Sequence, residues 1–178
     1  MSWTPPPGSI GLTYAYGLTH VRASIGQILT GEVTHYTHAF IALGGGKIME
    51  PWPSGARISD ISAYSDEYVA YGWPLGLTSE QRDDLVSVAL SLDGACHGLS
   101  DYAALALTRR GVGPDRLHRR VRSGDRMVPA RFVAEVYARA LVPLLEGKEP
   151  HEVTLEDLGT LFMTSESWAL HVPAAYYA

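Results

Sequence analysis

His38 and Glu50 are the pair of side chains in this sequence that could together do acid–base chemistry. They bracket a stretch, residues 34–51, that reads as two strands joined by a glycine turn. Residues 39–43 are a short apolar run of the kind a buried strand shows, and Gly44-Gly45-Gly46 is a turn signal. Lys47-Ile48-Met49-Glu50 leads back, and Pro51 stops regular pairing. Antiparallel pairing brings the His38 end of one strand to the Glu50 end of the other. A histidine oriented by a carboxylate is the base half of a nucleophilic-hydrolase site. Without a nucleophile, the same pair is a hydrogen-bonded strand end or part of a ligand site. His35 and His38 form H-x-x-H, but strand residues three apart point to opposite faces, so neither a metal nor another cofactor is expected. Trp52, between Pro51 and Pro53, either walls a pocket beside the pair or caps the core.

The elements that must position this pair follow from patterning. Residues 8–15, 57–61 and 68–75 read as further strands. Helices are expected over 20–29, ended by Gly31, and over 78–92. In the latter, Thr78 and Gln81 form a capping box and Leu85, Val88, Ala89 and Leu92 one apolar stripe. Ser100 caps a helix over 101–110, ended by Gly111. A longer helix over 129–146 has Pro129 at its first position and Phe132, Val133, Val136, Tyr137, Ala140 and Leu141 on one face, with Pro143 as its kink or stop. Thr154 caps a short last helix. Strands followed by helices, without repeat or linker, predict one α+β domain over residues 1–178, a small antiparallel sheet packed on helices. An apolar extension runs from about residue 163; the segment 168–178 is expected to dock on its own domain or on a protein neighbour.

Composition excludes several classes. Cys96 is the single cysteine, which rules out an internal disulfide framework and a cysteine-cluster zinc site. The N-terminal residues have neither a basic nor an apolar signal region, and no apolar run approaches the ~20 residues of a membrane span. Synthesis in the cytoplasm and no membrane span are therefore expected. Residues 109–131 hold eight of the fourteen basic side chains, Arg119 and Arg120 among them, and could meet a polyanion. Stacking aromatics are missing from that segment and the net charge is -5, so a solvated connection is favoured over a nucleic-acid site.

Several pieces in order carry a resemblance: Gly8-Ser9-Ile10-Gly11-Leu12-Thr13, Thr37-His38-Ala39-Phe40-Ile41, Gly55-Ala56-Arg57-Ile58, Asp101-Tyr102-Ala103-Ala104, Arg131-Phe132-Val133-Ala134-Glu135 and Val153-Thr154-Leu155-Glu156-Asp157. Over residues 8–162 the chain resembles the circularly permuted branch of the NlpC/P60 papain-like superfamily. Active members are thiol hydrolases of amide or ester bonds, and relatives are common in bacteria and their phages. The resemblance implies that His38 is the catalytic histidine and Glu50 its polar partner. It implies a cysteine nucleophile opening the helix at Arg131, where the dipole and the imidazole would stabilise a thiolate. Pro129 and Ala130 stand there instead, and neither can attack a carbonyl. The expectation is a degenerate enzyme, a binding or structural module of a virion or other assembly. It would take protein neighbours, or a small ligand such as a cell-wall peptide, in a groove by His38, Glu50 and Trp52. The alternatives are an active thiol amidase or peptidase using Cys96 with His38, and a polyanion binder using Arg119 and Arg120.

Overall fold

The computed structural model describes residues 3–14, 36–52, 55–94 and 129–173. The expected helices over 20–29 and 101–110, and Cys96, His97, Arg119 and Arg120, lie outside the described residues.

The hairpin of β2 (Tyr36–Gly44) and β3 (Lys47–Glu50) is the centre of the sheet. Gly44 pairs with Lys47, and the two residues between them, Gly45 and Gly46, have φ of 59° and 75°. Two positive φ values are what a type I′ turn demands, and glycine adopts them without steric cost. β1 (Ile10–Tyr14) pairs with the other side of β2. β4 (Arg57–Asp60), β5 (Val69–Pro74) and β6 (Trp168–His171) complete the order β4-β3-β2-β1-β5-β6, antiparallel at every step.

Strand alternation gives the sheet two different faces. Ile10, Leu12, Ala39, Ile41 and Met49 point into the main core, against α1 (Ser79–Leu90), α2 (Pro129–Arg139) and α3 (Leu155–Thr164). Phe40, Ile48, Val69 and Tyr71 point the other way, into a second cluster covered in part by Ile61 and Tyr64. His38 is two residues from Phe40 and Glu50 two from Ile48, so both belong to this second face. The fold is thus α+β, with helices on one side of a six-stranded antiparallel sheet among the described residues.

The helices carry their expected signals. Thr78 and Gln81 close the capping box of α1, and Leu85, Ala89 and Leu92 are fully buried. Thr154 and Asp157 form the same box on α3, where Lys148 also reaches Asp157 at 2.7 Å. Gly159 lets α3 lie against the Tyr36 ring, because a Cβ there would sit 2.2 Å from it. The Tyr137 hydroxyl, buried in α2, donates to the Gly8 carbonyl at 2.7 Å and ties the N-terminal strap to the core.

Segment 57–61, read as a short strand or its connection, is a strand to Asp60, after which Ile61–Tyr64 turns into a 3-10 helix. Within the apolar extension Trp168–His171 is strand β6, paired with β5, so this part of the segment 168–178 docks on its own domain, one of the two expected outcomes. One expectation is corrected. The helix expected over 129–146 ends at Arg139. It stops in a Schellman motif, with the Val142 N–H donating to Tyr137 and the Leu141 N–H to Ala138, before Pro143 is reached. Leu141 sits at the left-handed position with φ 57°, and it is 66% exposed instead of facing the core.

A leucine in the left-handed region costs about 1–2 kcal/mol, part of which glycine returns through its freer unfolded chain. Leu141→Gly is therefore expected to stabilise the protein by roughly 0.5–1 kcal/mol, a rise of about 1–4 °C in Tm by thermal unfolding. A lower Tm would mean that the leucine side chain contributes packing there.

Candidate functional site

The register of the central hairpin builds the site. Ile41 pairs with Met49, so one further step sets Glu50 across from Phe40 and diagonal to His38 on the same face. The His38 Nε2 lies 3.0 Å from Glu50 Oε2. The pair anticipated from the hairpin is formed.

Glu50 is 1% exposed, yet it carries a charge. Its carboxylate survives burial because donors replace water on both oxygens. On Oε1, Arg57 donates from Nε at 2.9 Å and from Nη2 at 2.9 Å, and the Ser59 hydroxyl donates at 2.5 Å. On Oε2, the Tyr64 hydroxyl donates beside His38. Burial pushes the carboxyl up, but the hydrogen bonds from His38, Ser59, Tyr64 and Arg57 outweigh it and hold the pKa at about 2 against an ordinary 4.5. Burial, and then the hydrogen bond to the Glu50 charge, push the Tyr64 phenol far up, so it remains a donor.

An ionised carboxylate only accepts, so Nε2 of His38 is the donor in this bond. The His38 side chain is 18% exposed, and Nδ1 has no hydrogen-bond partner among the described residues. The arrangement can orient an imidazole as a base or hydrogen-bond acceptor.

Arg57, Ser59 and Tyr64 are the partners that sequence reasoning missed. Arg57 and Ser59 follow from the β3–β4 register, in which Glu50 pairs with Arg57 and Ile48 with Ser59. Tyr64 arrives through the 3-10 turn and leaves no periodic signal.

Of the other expected site residues, Trp52 and Pro129 are described. Trp52 is 43% exposed, and the Arg57 guanidinium lies 3.6 Å from its ring centroid as a cation–π stack. Pro129 opens α2 on the face of the sheet away from His38. Cys96, Arg119 and Arg120 are outside the described residues. A pocket of about 290 Å³ lies away from His38, on the helix side, lined by Tyr14, Tyr36, Tyr68, Phe162, Met163 and Leu170. Among the described residues no group of three or more His, Cys, Asp or Glu could hold a metal ion, and no helix is long and apolar enough to cross a membrane.

A carboxylate whose pKa is lowered on folding stabilises the fold above its unfolded pKa and loses that contribution as pH falls through the folded value. For Glu50 the window runs from about pH 4.5 down to about 2, and the loss is about 3 kcal/mol. Urea unfolding across that range should show this slope in the wild type and its absence in Glu50→Gln, which also loses stability at neutral pH. An unchanged slope in the variant would place the acid sensitivity elsewhere.

Comparison with protein-family models, with curated proteins and with solved structures yields no match, so the function is argued from this geometry.

Proposed function

We propose that this chain is a catalytically degenerate papain-like domain acting as a binding or structural module, in a phage particle or another bacterial assembly. The observation that carries the reading is an intact His38–Glu50 pair that stands on the face of the sheet away from the helix start at Pro129 and Ala130, which is itself without a nucleophile. Ala130 is also fully buried, and α2 packs on the face of β2 that His38 does not use. The pair keeps what recognition needs. Nδ1 of His38 is the acceptor whenever the ring is neutral, and the Trp52–Arg57 stack, joined to the pair through Glu50, is a partly exposed aromatic and cationic platform. Backbone amides of a peptide suit such a rim, since they donate to the imidazole and lie flat on the indole. A protein neighbour or a cell-wall peptide supplies them.

The orientation of His38 by Glu50 also favours a second reading, an active thiol amidase or peptidase using Cys96, since an oriented imidazole is what a thiol would need.

Alkylation by iodoacetamide, followed by intact mass, separates the two. The module reading expects Cys96 to react no faster in the folded chain than in the unfolded one, and with no dependence on His38. A folded rate at least about tenfold higher that collapses in His38→Ala would establish the thiol hydrolase instead. Pro129→Cys is expected to gain no amidase or esterase activity, because its helix and the imidazole occupy opposite faces of β2. Hydrolysis by that variant would sink the proposed geometry.

A further inference from the structure

The two edges of the sheet are built differently. On β4, Arg57 is bound to Glu50 and Asp60 to Lys47 at 2.8 Å, the charged edge with which natural sheets resist further pairing. β6 reads Trp168-Ala169-Leu170-His171 and carries no Asp, Glu, Lys or Arg. Its register, Trp73 with Ala169 and Tyr71 with His171, continues the bond from the Leu75 N–H to the Ser167 carbonyl at 2.8 Å. Odd-numbered residues of β6 thus direct their backbone groups inward to β5, and alternation turns the N–H and C=O of Leu170 outward. There they have no partner among the described residues. The Leu170 side chain is 44% exposed, close to Met163 at 63% on the rim of the same pocket.

We propose that β6 pairs antiparallel with β6 of a second copy of this chain, about a twofold axis at Leu170, so that the two sheets join into one. The strand is complementary to itself. The Leu170 N–H of each copy donates to the Leu170 carbonyl of the other, and the Val172 N–H reaches the Trp168 carbonyl across the axis. The Leu170 side chains of the two copies cover one another. Without charged side chains, self-pairing sets no like charges opposite each other, and His171 falls opposite Ala169 instead of a second histidine. A twofold contact also closes on itself, which gives a dimer whose two outer edges are the charged β4 strands. This goes beyond the module reading and does not depend on it.

Sedimentation equilibrium of the full chain tests the pairing. The wild type is expected as a particle of twice 19.3 kDa. Leu170→Lys sets two ammonium groups together at the axis and should halve that mass, with the circular dichroism spectrum unchanged and the concentration dependence of Tm lost. Leu170→Pro removes only the outward N–H, a position where an edge strand tolerates proline, and should also give single chains. A wild type that sediments as one chain overturns the proposal. So does a two-chain particle that persists in both variants, and pairing with an added foreign strand peptide by an otherwise single-chain wild type would give the edge to a heterologous partner.

Discussion

A carboxylate held at 1% exposure keeps its charge only when protein donors stand where water stood. Glu50 meets that demand with donors from β2, β4 and the 3-10 turn, and so it dictates how those segments meet. The β3–β4 register must bring Arg57 and Ser59 to one oxygen, and the turn after Asp60 must bring Tyr64 to the other. A slip of one residue in either hairpin would send Glu50 to the helix side and leave a buried charge without donors. The glycine pair at 45 and 46 is the local device that holds the register.

The same carboxylate sets the chemistry of the one imidazole in the site. By accepting from Nε2 it fixes the orientation of the ring, which a hydrolase would use and a recognition site would use as well. What distinguishes those two outcomes is the presence of a nucleophile within reach of Nδ1. The helix start at Pro129 offers none, and its helix stands on the far side of the sheet. The Arg57 guanidinium is shared between Glu50 and the Trp52 ring, so the buried charge and the exposed platform are mechanically one unit.

The two edges of the sheet express opposite constraints. β4 carries the Arg57–Glu50 pair that serves the interior and the exposed Lys47–Asp60 pair, and these charges discourage further strands. β6 is held by β5, by the aromatic stack of Trp168 with Phe162 and Tyr137 and by Trp3 stacked on His171, and it presents an uncharged ladder outward. An element expected from sequence to dock on its own domain or on a neighbour is the last strand of the sheet because Trp168 belongs to the core.

Local chemistry was legible in the sequence alone. The His38–Glu50 hairpin, the Thr78 and Thr154 caps and the α+β class rest on interactions a few residues apart, and periodicity, turn glycines and capping pairs report such interactions directly. Contacts between distant segments were not legible. Tyr64 reaches Glu50 through an aperiodic turn, and α2 stops at a left-handed leucine where no glycine marks the end. β6 crosses from the C-terminal part of the chain to pair with β5, and the choice of sheet face for α2 depends on packing of the whole core. Tertiary structure decided these because their energies come from burial and satisfied hydrogen bonds, which no stretch of the chain can acquire by itself.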